Sequence, residues 1–308
     1  MRMLWRFRGS VTAITAQTRR RANADEDNRP GHVSAIGLGG MPMSIEGRPD
    51  EARSARTIHA ALDAGVTLID TADAYHLEAG ETGHNERLIA KALASYPGDT
   101  SDVLVATKGG HLRPGDGSWT VDGSPAHLQD AAEASLKALG LDVIGLYQFH
   151  RPDPKVPYAE SIGAIKELLS AGKIRLAGIS NASIEQIEEA RSILGEGNLA
   201  SVQNQFSPAF RSSEGELEHC AAAGIAFLPW SPLGGIGRAG RLGSRHAAFA
   251  EIAAERGVSP QRVTLAWLLA KAPVVIPIPG ASRPESIIDS AQAPELVLTP
   301  EEFARLNG

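Results

Sequence analysis

The sequence has one cysteine, few aromatic residues (5%) and fewer basic than acidic side chains. A lone Cys220 cannot close an intramolecular disulfide or build a cysteine zinc site. Lys plus Arg total 30 against 36 Asp plus Glu, a formal net charge of −6. Binding to nucleic acid needs a basic footprint that neutralises phosphates, so nucleic acid is not expected as the main partner. No apolar run approaches the roughly 20 residues that span a bilayer, and no membrane segment is expected. What is present is 308 residues with 43% hydrophobic and 21% charged side chains, enough for one large domain or two smaller ones. These figures point to a soluble protein of a reducing compartment, expected to be cytoplasmic, and either an enzyme or a binding module.

Charge is unevenly placed. Residues 1–30 hold Arg2, Arg6, Arg8, Arg19, Arg20, Arg21 and Arg29 against Asp25, Glu26 and Asp27, a balance of +4 that leaves −10 for the rest. The stretch has no long apolar run, which argues against a secretory signal. An arginine-rich, acid-poor start is compatible with an organellar transit peptide. The reading preferred here is a poorly ordered basic extension, or a start codon set too far upstream, preceding a domain over residues 31–308.

From residue 33 onward, short β-branched runs alternate with stretches of helical periodicity. The runs are Val33–Gly37, Thr67–Asp70, Val103–Lys108, Val143–His150, Lys173–Ser180, Ser201–Phe206, Ile225–Trp230 and Val274–Ile278. Between or after them lie helical stretches at Asp50–Ala64, Asn85–Ser95, Ser124–Leu139, Pro157–Ala171, Ser183–Leu194, Glu214–Ala223, a pair over His246–Lys271, and Pro284–Ala291. Ser183 with Gln186 reads as a capping box, and Pro157 suits a first helical turn. Gly65, Gly140, Gly172 and Gly224 sit where left-handed caps end helices. Eight βα units, apolar on both strand faces, predict a parallel sheet covered all round by helices. At this length a single (β/α)8 TIM barrel fits better than two domains, with an open doubly wound sheet as the competitor.

A barrel carries its active site at the C-terminal rim of its strands. The second run ends at Asp70 with Tyr75 just beyond, the third at Lys108, and the fourth at His150. Each alone has an ordinary reading: Asp70 a cap or turn residue, Lys108 a surface lysine, Tyr75 a rim aromatic, His150 a loop histidine. Together they form a proton donor for a carbonyl oxygen. A free phenol has a pKa of about 10 and is a poor donor near neutrality. A neighbouring ammonium stabilises the phenolate and favours its release of a proton. Asp70 paired to Lys108 keeps the lysine charged, and His150 can bond the substrate oxygen. No nucleophile with an adjacent base and no metal cage accompanies them, so acyl transfer and metal hydrolysis are disfavoured.

Eight segments occur in order across residues 33 to about 305. They are Gly37-Leu38-Gly39-Gly40-Met41, Asp70-Thr71-Ala72-Asp73-Ala74-Tyr75, Thr107-Lys108, Gln148-Phe149-His150-Arg151-Pro152, Gly178-Ile179-Ser180-Asn181, Gln203-Asn204-Gln205-Phe206-Ser207, Trp230-Ser231-Pro232-Leu233-Gly234-Gly235 and Ile278-Pro279-Gly280-Ala281-Ser282. In this combination the sequence closely resembles the aldo-keto reductases, in particular the branch containing potassium-channel β subunits and pyridoxal or aryl-alcohol reductases. The resemblance implies NADPH-dependent reduction of an aldehyde or ketone on a (β/α)8 barrel. By motif, Tyr75 is the general acid, Lys108 and Asp70 tune it, and His150 orients the carbonyl. Ser180, Asn181 and Gln203 match positions holding the nicotinamide amide, and Trp230 takes the place of the aromatic stacked on its ring. Ser231, Pro232, Leu233 and Gly235 would run along the pyrophosphate, with Arg238, Arg241 and Arg245 as further phosphate contacts. Gly40, Met41, Asp70, Ile278 and Gly280 complete the cofactor side.

The adenine end departs from the commonest pattern. Lys-Ser and a 2′-phosphate-gripping Arg are replaced by Gly280, Ala281 and Ser286. Ser282, Ser286 and Asp289 fit the variant pattern of the channel-related branch, with Ser290 where an Asn is usual and Arg283 as the candidate to supply the missing charge. NADPH is the expected cofactor, and NADH use stays open. The family's usual N-terminal hairpin is also not evident. Either it is degenerate, around Leu4–Phe7 and Val11–Thr15, or the barrel floor is built differently.

Gly235-Ile236-Gly237-Arg238-Ala239-Gly240 spells a dinucleotide G-x-G-x-x-G, with Glu255 beyond. The Rossmann reading requires that motif immediately after a first strand, opening a helix; here it follows the seventh. Three functions remain: the reductase, a cofactor-binding regulatory subunit with vestigial chemistry, and a barrel isomerase using Lys108 as a Schiff-base amine. The partner is expected to be a small-molecule carbonyl, with monomer and homo-oligomer both open. Specificity is expected in rim loops at Met43–Glu51, Leu77–Gly83, Leu112–Gly123 and Gly234–His246. Trp119 is either a wall of the substrate pocket or an exposed loop aromatic, and Glu78 and Glu81 read as solvated charge.

Overall fold

The computed structural model describes residues 15–17 and 32–308. Most of the basic stretch at 1–30, including Leu4–Phe7 and nearly all of Val11–Thr15, lies outside the described residues. The strands are β1 (Thr15–Gln17), β2 (His32–Ser34), β3 (Leu38–Gly39), β4 (Leu68–Asp70), β5 (Leu104–Gly109), β6 (His111–Leu112), β7 (Thr120–Val121), β8 (Ile144–Phe149), β9 (Ile174–Ser180), β10 (Leu199–Gln203) and β11 (Ala226–Phe227). The helices are α1 (Glu51–Asp63), α2 (His84–Ser95), α3 (Pro125–Leu139), α4 (Tyr158–Ser170), α5 (Ile184–Leu194), α6 (Glu214–Ala223), α7 (Leu242–Arg245), α8 (Ala247–Arg256), α9 (Pro260–Leu269), α10 (Pro284–Ala291) and α11 (Pro300–Asn307).

Seven strands pair in parallel in the order β11-β10-β9-β8-β5-β4-β3. Residues 274–280 close the ring. On one side the Phe227 amide donates to the Val274 carbonyl and the Ile276 amide to Phe227, both at 2.9 Å. On the other, the Gly37 and Gly39 amides donate to Pro277 and Pro279, again at 2.9 Å. Pro277 and Pro279 have no N–H to give, so this last edge accepts without donating and forms bridges in place of a full ladder. The result is a closed (β/α)8 barrel.

The expected first strand at Val33–Gly37 is displaced. His32–Ser34 pairs with Thr15–Gln17, and the barrel ladder begins at Leu38. The cause is polar: the Ser34 amide donates to Thr67 Oγ1 (2.8 Å) and the Thr67 amide to Ser34 Oγ (2.9 Å), so side chains take the donors a ladder would use.

Helix ends follow the sequence signals. Ser183 and Gln186 form the capping box on α5, and Pro157 is the cap residue of α4, one place earlier than a first turn. Gly140 and Gly224 end α3 and α6 in the left-handed conformation, with φ of 67° and 68°, which a residue with a Cβ resists.

Alternation along the strands sorts the core and sets the site. Leu68, Ala106, Leu146, Leu176, Ala226 and Ile276 point inward and pack together inside the barrel. Their neighbours Ile69, Val105, Tyr147, Ala177, Phe227 and Val275 belong to the clusters under the helices. Two residues beyond the inner layer, on the same face, come Asp70, Lys108 and Gln148, and then His150. Among the described residues no helix is long and apolar enough to cross a membrane.

Candidate active site

The strand-end side chains meet as the alternation requires. Lys108 Nζ donates to Asp70 Oδ2 (2.7 Å), to the Thr71 carbonyl (2.8 Å) and to the Tyr75 hydroxyl (3.0 Å). The three ammonium protons are thereby used, and Lys108 is fully buried. Burial works against the charge on Lys108, but the attraction of Asp70 and Tyr75 outweighs it and the ammonium stays above its ordinary pKa. Asp70 Oδ1 accepts from Gln203 Nε2 at 2.8 Å and from Gln148 Nε2 at 3.4 Å. A buried carboxylate and a buried ammonium are each costly alone; paired and fully bonded they form a stable dry dipole.

The balance at Tyr75 differs from the simple expectation. Burial raises its phenol above the usual value, and the Lys108 ammonium opposes this without reversing it. The lysine is the group that favours phenolate, and it acts against an apolar surround. His150 stands edge-on to Tyr75, ring centroids 5.8 Å apart. Burial first, then the charges of Lys108 and Arg151, drive its pKa well below the ordinary value, so the ring is neutral at neutral pH. His150 Nδ1 is buried with no partner among the described residues. Behind the cluster Asp73 is also buried, and burial followed by the neighbouring Glu86 raises its carboxyl well above the usual range.

Beside His150 lies a second, amide-rich patch. Asn181, in the left-handed region at φ 57°, donates from Nδ2 to the His150 carbonyl (2.9 Å) and to Ser180 Oγ (3.1 Å). Ser180 Oγ donates to the Gln203 carbonyl (2.7 Å). Trp230 is half-buried, and its indole N–H reaches Asn181 Oδ1 at 3.2 Å, which fixes the ring plane at the rim. Ser231 follows at φ 51°, and Gly234 and Gly235 at 88° and 100°. Among the described residues the amides of Leu233, Gly235, Ile236 and Gly237 donate no hydrogen bond. Successive free amides in a turn make an anion cradle, and Arg238 and Arg245 line a cleft with Leu233 and Gly234. A pinned aromatic face, an amide cluster and free amides suit a nicotinamide nucleotide, for which Trp230 would take the ring, Ser180, Asn181 and Gln203 its amide, and residues 231–237 the phosphates.

The other cofactor residues expected from the sequence divide. Gly40 is buried, its amide donating to the Asp70 carbonyl (2.8 Å), with Met41 opening the turn after it. Ile278 is buried, and Gly280 bridges Gly39 to close the barrel beside Pro42. Arg283 is exposed and donates from Nε to Ser286 Oγ (2.9 Å), and Ser282 precedes it half-buried. Asp289 is spent within the protein: Oδ1 pairs with Arg262 (2.6 Å) and Oδ2 accepts from Ser259 Oγ (2.5 Å). The G-x-G-x-x-G at 235–240 opens no helix directly; a 3-10 turn at Ala239–Arg241 intervenes before α7.

Sequence reasoning missed several contributors. Gln148 was readable, being two residues before His150 on the same face. Asn85 was not: its amide donates to the Gly40 carbonyl (3.0 Å) and accepts from Thr71 (2.7 Å), tying two rim turns across 45 residues of sequence. His111 and Arg113 also lie at the rim, placed by a hairpin that no periodicity announces.

Comparison with known proteins agrees with this geometry. The sequence model of the Aldo/keto reductase family matches residues 35–308. A 6-dehydroglucose reductase of Novosphingobium aromaticivorans is 35% identical over 268 residues, covering 85% of this chain and 86% of its own. Pyridoxine 4-dehydrogenase of Escherichia coli is 32% identical over 286 residues, covering 90% and 94%. An aldo-keto reductase of Klebsiella pneumoniae, solved with NADPH, superposes with a TM-score of 0.74 at 29% identity, covering 89% of this chain and 90% of that one.

Proposed function

Given that the chain belongs to the aldo/keto reductase family, we propose that it reduces an aldehyde or ketone to an alcohol with NADPH, Tyr75 giving the proton. The observation that carries this reading is the unbroken contact series from Asp70 through Lys108 to Tyr75, buried beside a neutral His150. When bound, the nicotinamide supplies a hydride, and with it two electrons, to the carbonyl carbon. Tyr75 delivers its proton to the carbonyl oxygen, and the resulting phenolate is held by Lys108, whose own charge is anchored by Asp70. His150, neutral and with no partner for Nδ1 among the described residues, holds the oxygen through Nε2. Trp230 and Asn181 present the rim surface that would hold the nicotinamide. Arg283 is the cation nearest the adenosine-side motif in sequence, which supports NADPH over NADH.

Purified protein mixed with NADPH and an aromatic aldehyde should lose the reduced-nicotinamide absorbance, and Tyr75→Phe should stop that loss. 6-Dehydroglucose belongs in the panel because one relative is named for it, and pyridoxal because it is the aldehyde of pyridoxine, for which another is named. NADPH binding with no turnover on any carbonyl would replace the reductase reading with a cofactor-binding regulatory role.

A further inference from the structure

The hairpin of β6 and β7 leaves the barrel directly after β5, the strand that carries Lys108, and holds His111, Arg113 and Trp119. His111 stands edge-on to His150 with ring centroids 4.8 Å apart and planes at 79°. It also lies against Trp119, centroids 4.7 Å apart and planes at 30°. Arg113 carries its guanidinium 4.9 Å from the Trp119 ring centroid. Arg113 as a residue is only 5% exposed. Its guanidinium donates to the carbonyl of His76, the neighbour of Tyr75, at 2.5 Å, and pairs with the Glu46 carboxylate. Arg113 Nε has no partner among the described residues.

A surface loop has no need of a buried, incompletely bonded guanidinium, since burying one is costly. Here it grips three segments together: the 43–51 loop at Glu46, the turn after Tyr75 at His76, and the hairpin through Trp119. The hairpin tip is seated as well, for a Cβ on Gly115 would meet the Ala79 amide nitrogen at 2.4 Å. Arg48 and Glu81 tie the same two rim loops by paired bonds of 2.9 Å.

We propose that Arg113 is a positioning residue that seats His111 and Trp119 as one wall of the carbonyl pocket, and that these two rings select flat, apolar carbonyls. The proposal rests on the reductase reading. A carbonyl oxygen held by Tyr75 and His150 directs its substituent past the ring that packs on His150, and that ring is His111. Burial, then Arg151 and Lys108, push the His111 imidazole down to about 4, so the wall is uncharged at neutral pH. Two uncharged rings stack on an aryl group and offer little to a short aliphatic chain.

The test is steady-state kinetics of the full chain with 4-nitrobenzaldehyde and with propanal, joined to calorimetric binding of 4-nitrobenzyl alcohol. Arg113→Gln and Trp119→Ala should each raise KM for the aryl aldehyde about tenfold. The KM for propanal, the KM for NADPH and kcat should stay within about twofold. Arg113→Lys should recover part of the loss, because it keeps the charge and one donor for His76. KM values for the two aldehydes rising together, or no change in Trp119→Ala, would overturn the wall. Failure of the unaltered protein to reduce these aldehydes or any other carbonyl of the panel, with alcohol binding still weakened by both variants, would sink the reductase reading and leave the wall standing.

Discussion

The proposed catalytic and nucleotide sides of the barrel rim are built on opposite plans. On the proposed catalytic side, Asp70, Lys108 and Gln148 stand on strand ends, buried and hydrogen-bonded among themselves and to Thr71, Tyr75 and Gln203. On the proposed nucleotide side, residues 231–238 form a loop with left-handed backbone and free amides, followed by exposed Arg241 and Arg245 on a 3-10 turn and α7. The first arrangement is bonded within itself; the second keeps donors that the proposed cofactor would take up. Proton transfer needs groups held in register away from water. A phosphate needs donors that nothing else has claimed.

The contrast breaks most sharply at Lys108. Lys108→Met should leave Asp70 buried without its cation, costing about 3–5 kcal/mol of stability as well as activity. Arg238→Ala, in the exposed loop, should change the stability read from urea unfolding by no more than about 0.5 kcal/mol. Equal midpoints for the two variants would show that the catalytic end is not the preformed one. Tyr75→Phe comes next. It should lower kcat about 10²–10⁴-fold while removing one hydrogen bond worth about 1 kcal/mol. NADPH binding should be unchanged, and a parallel loss of binding would argue that the two ends are a single unit.

Much of this division is legible in the sequence, for reasons that particular residues make plain. Asp70, Lys108 and His150 end apolar runs, and the two-residue period puts them on the face of Leu68, Ala106 and Leu146 without any tertiary knowledge. Helix ends at Gly140 and Gly224 and the Ser183 box are equally local. The first barrel strand was not, because Ser34 and Thr67 trade side-chain bonds that displace the ladder to Leu38. The eighth run reads as a strand, yet Pro277 and Pro279 deny it a regular one. Helix α11 did carry a local signal, Thr299 with Glu302, which a count of βα units passes over. Asn85 and Arg113 depend on which rim loops touch, and loop contacts across 37 to 45 residues have no periodicity to betray them.

Trp230 sharpens the comparison from the nucleotide side. Trp230→Ala should weaken NADPH binding about tenfold, the scale of one lost aromatic stack, with kcat at saturating cofactor changed far less. Fluorescence titration of the cofactor measures it. An unaltered affinity would remove Trp230 from the nucleotide surface and return it to a packing role.

The smallest expected effect concerns acid, and it compares one histidine from each region. His111, beside the catalytic end, is pushed down to about 4, burial being the largest cause. His246, in the nucleotide-side cleft, is lowered by burial and then by Arg211 and Arg245, but not so far. An unfolded histidine titrates near 6.5. Above that pH both states of the protein leave His111 neutral, and it contributes no pH dependence. Between about 6.5 and about 4 the unfolded chain accepts a proton that the folded chain refuses, so stability falls as pH falls. One proton sets a limit of about 1.4 kcal/mol per pH unit, and solvent around a partly exposed ring reduces it. His111→Phe keeps a ring against Trp119 and His150 but removes the titration. Its urea stability should therefore decline less than that of the unaltered protein from pH 7 to 5, and His246→Phe should recover a smaller share. Parallel curves for His111→Phe and the unaltered protein would mean that the imidazole meets water freely in the fold, and that the dry surround of the catalytic cluster stops short of the hairpin.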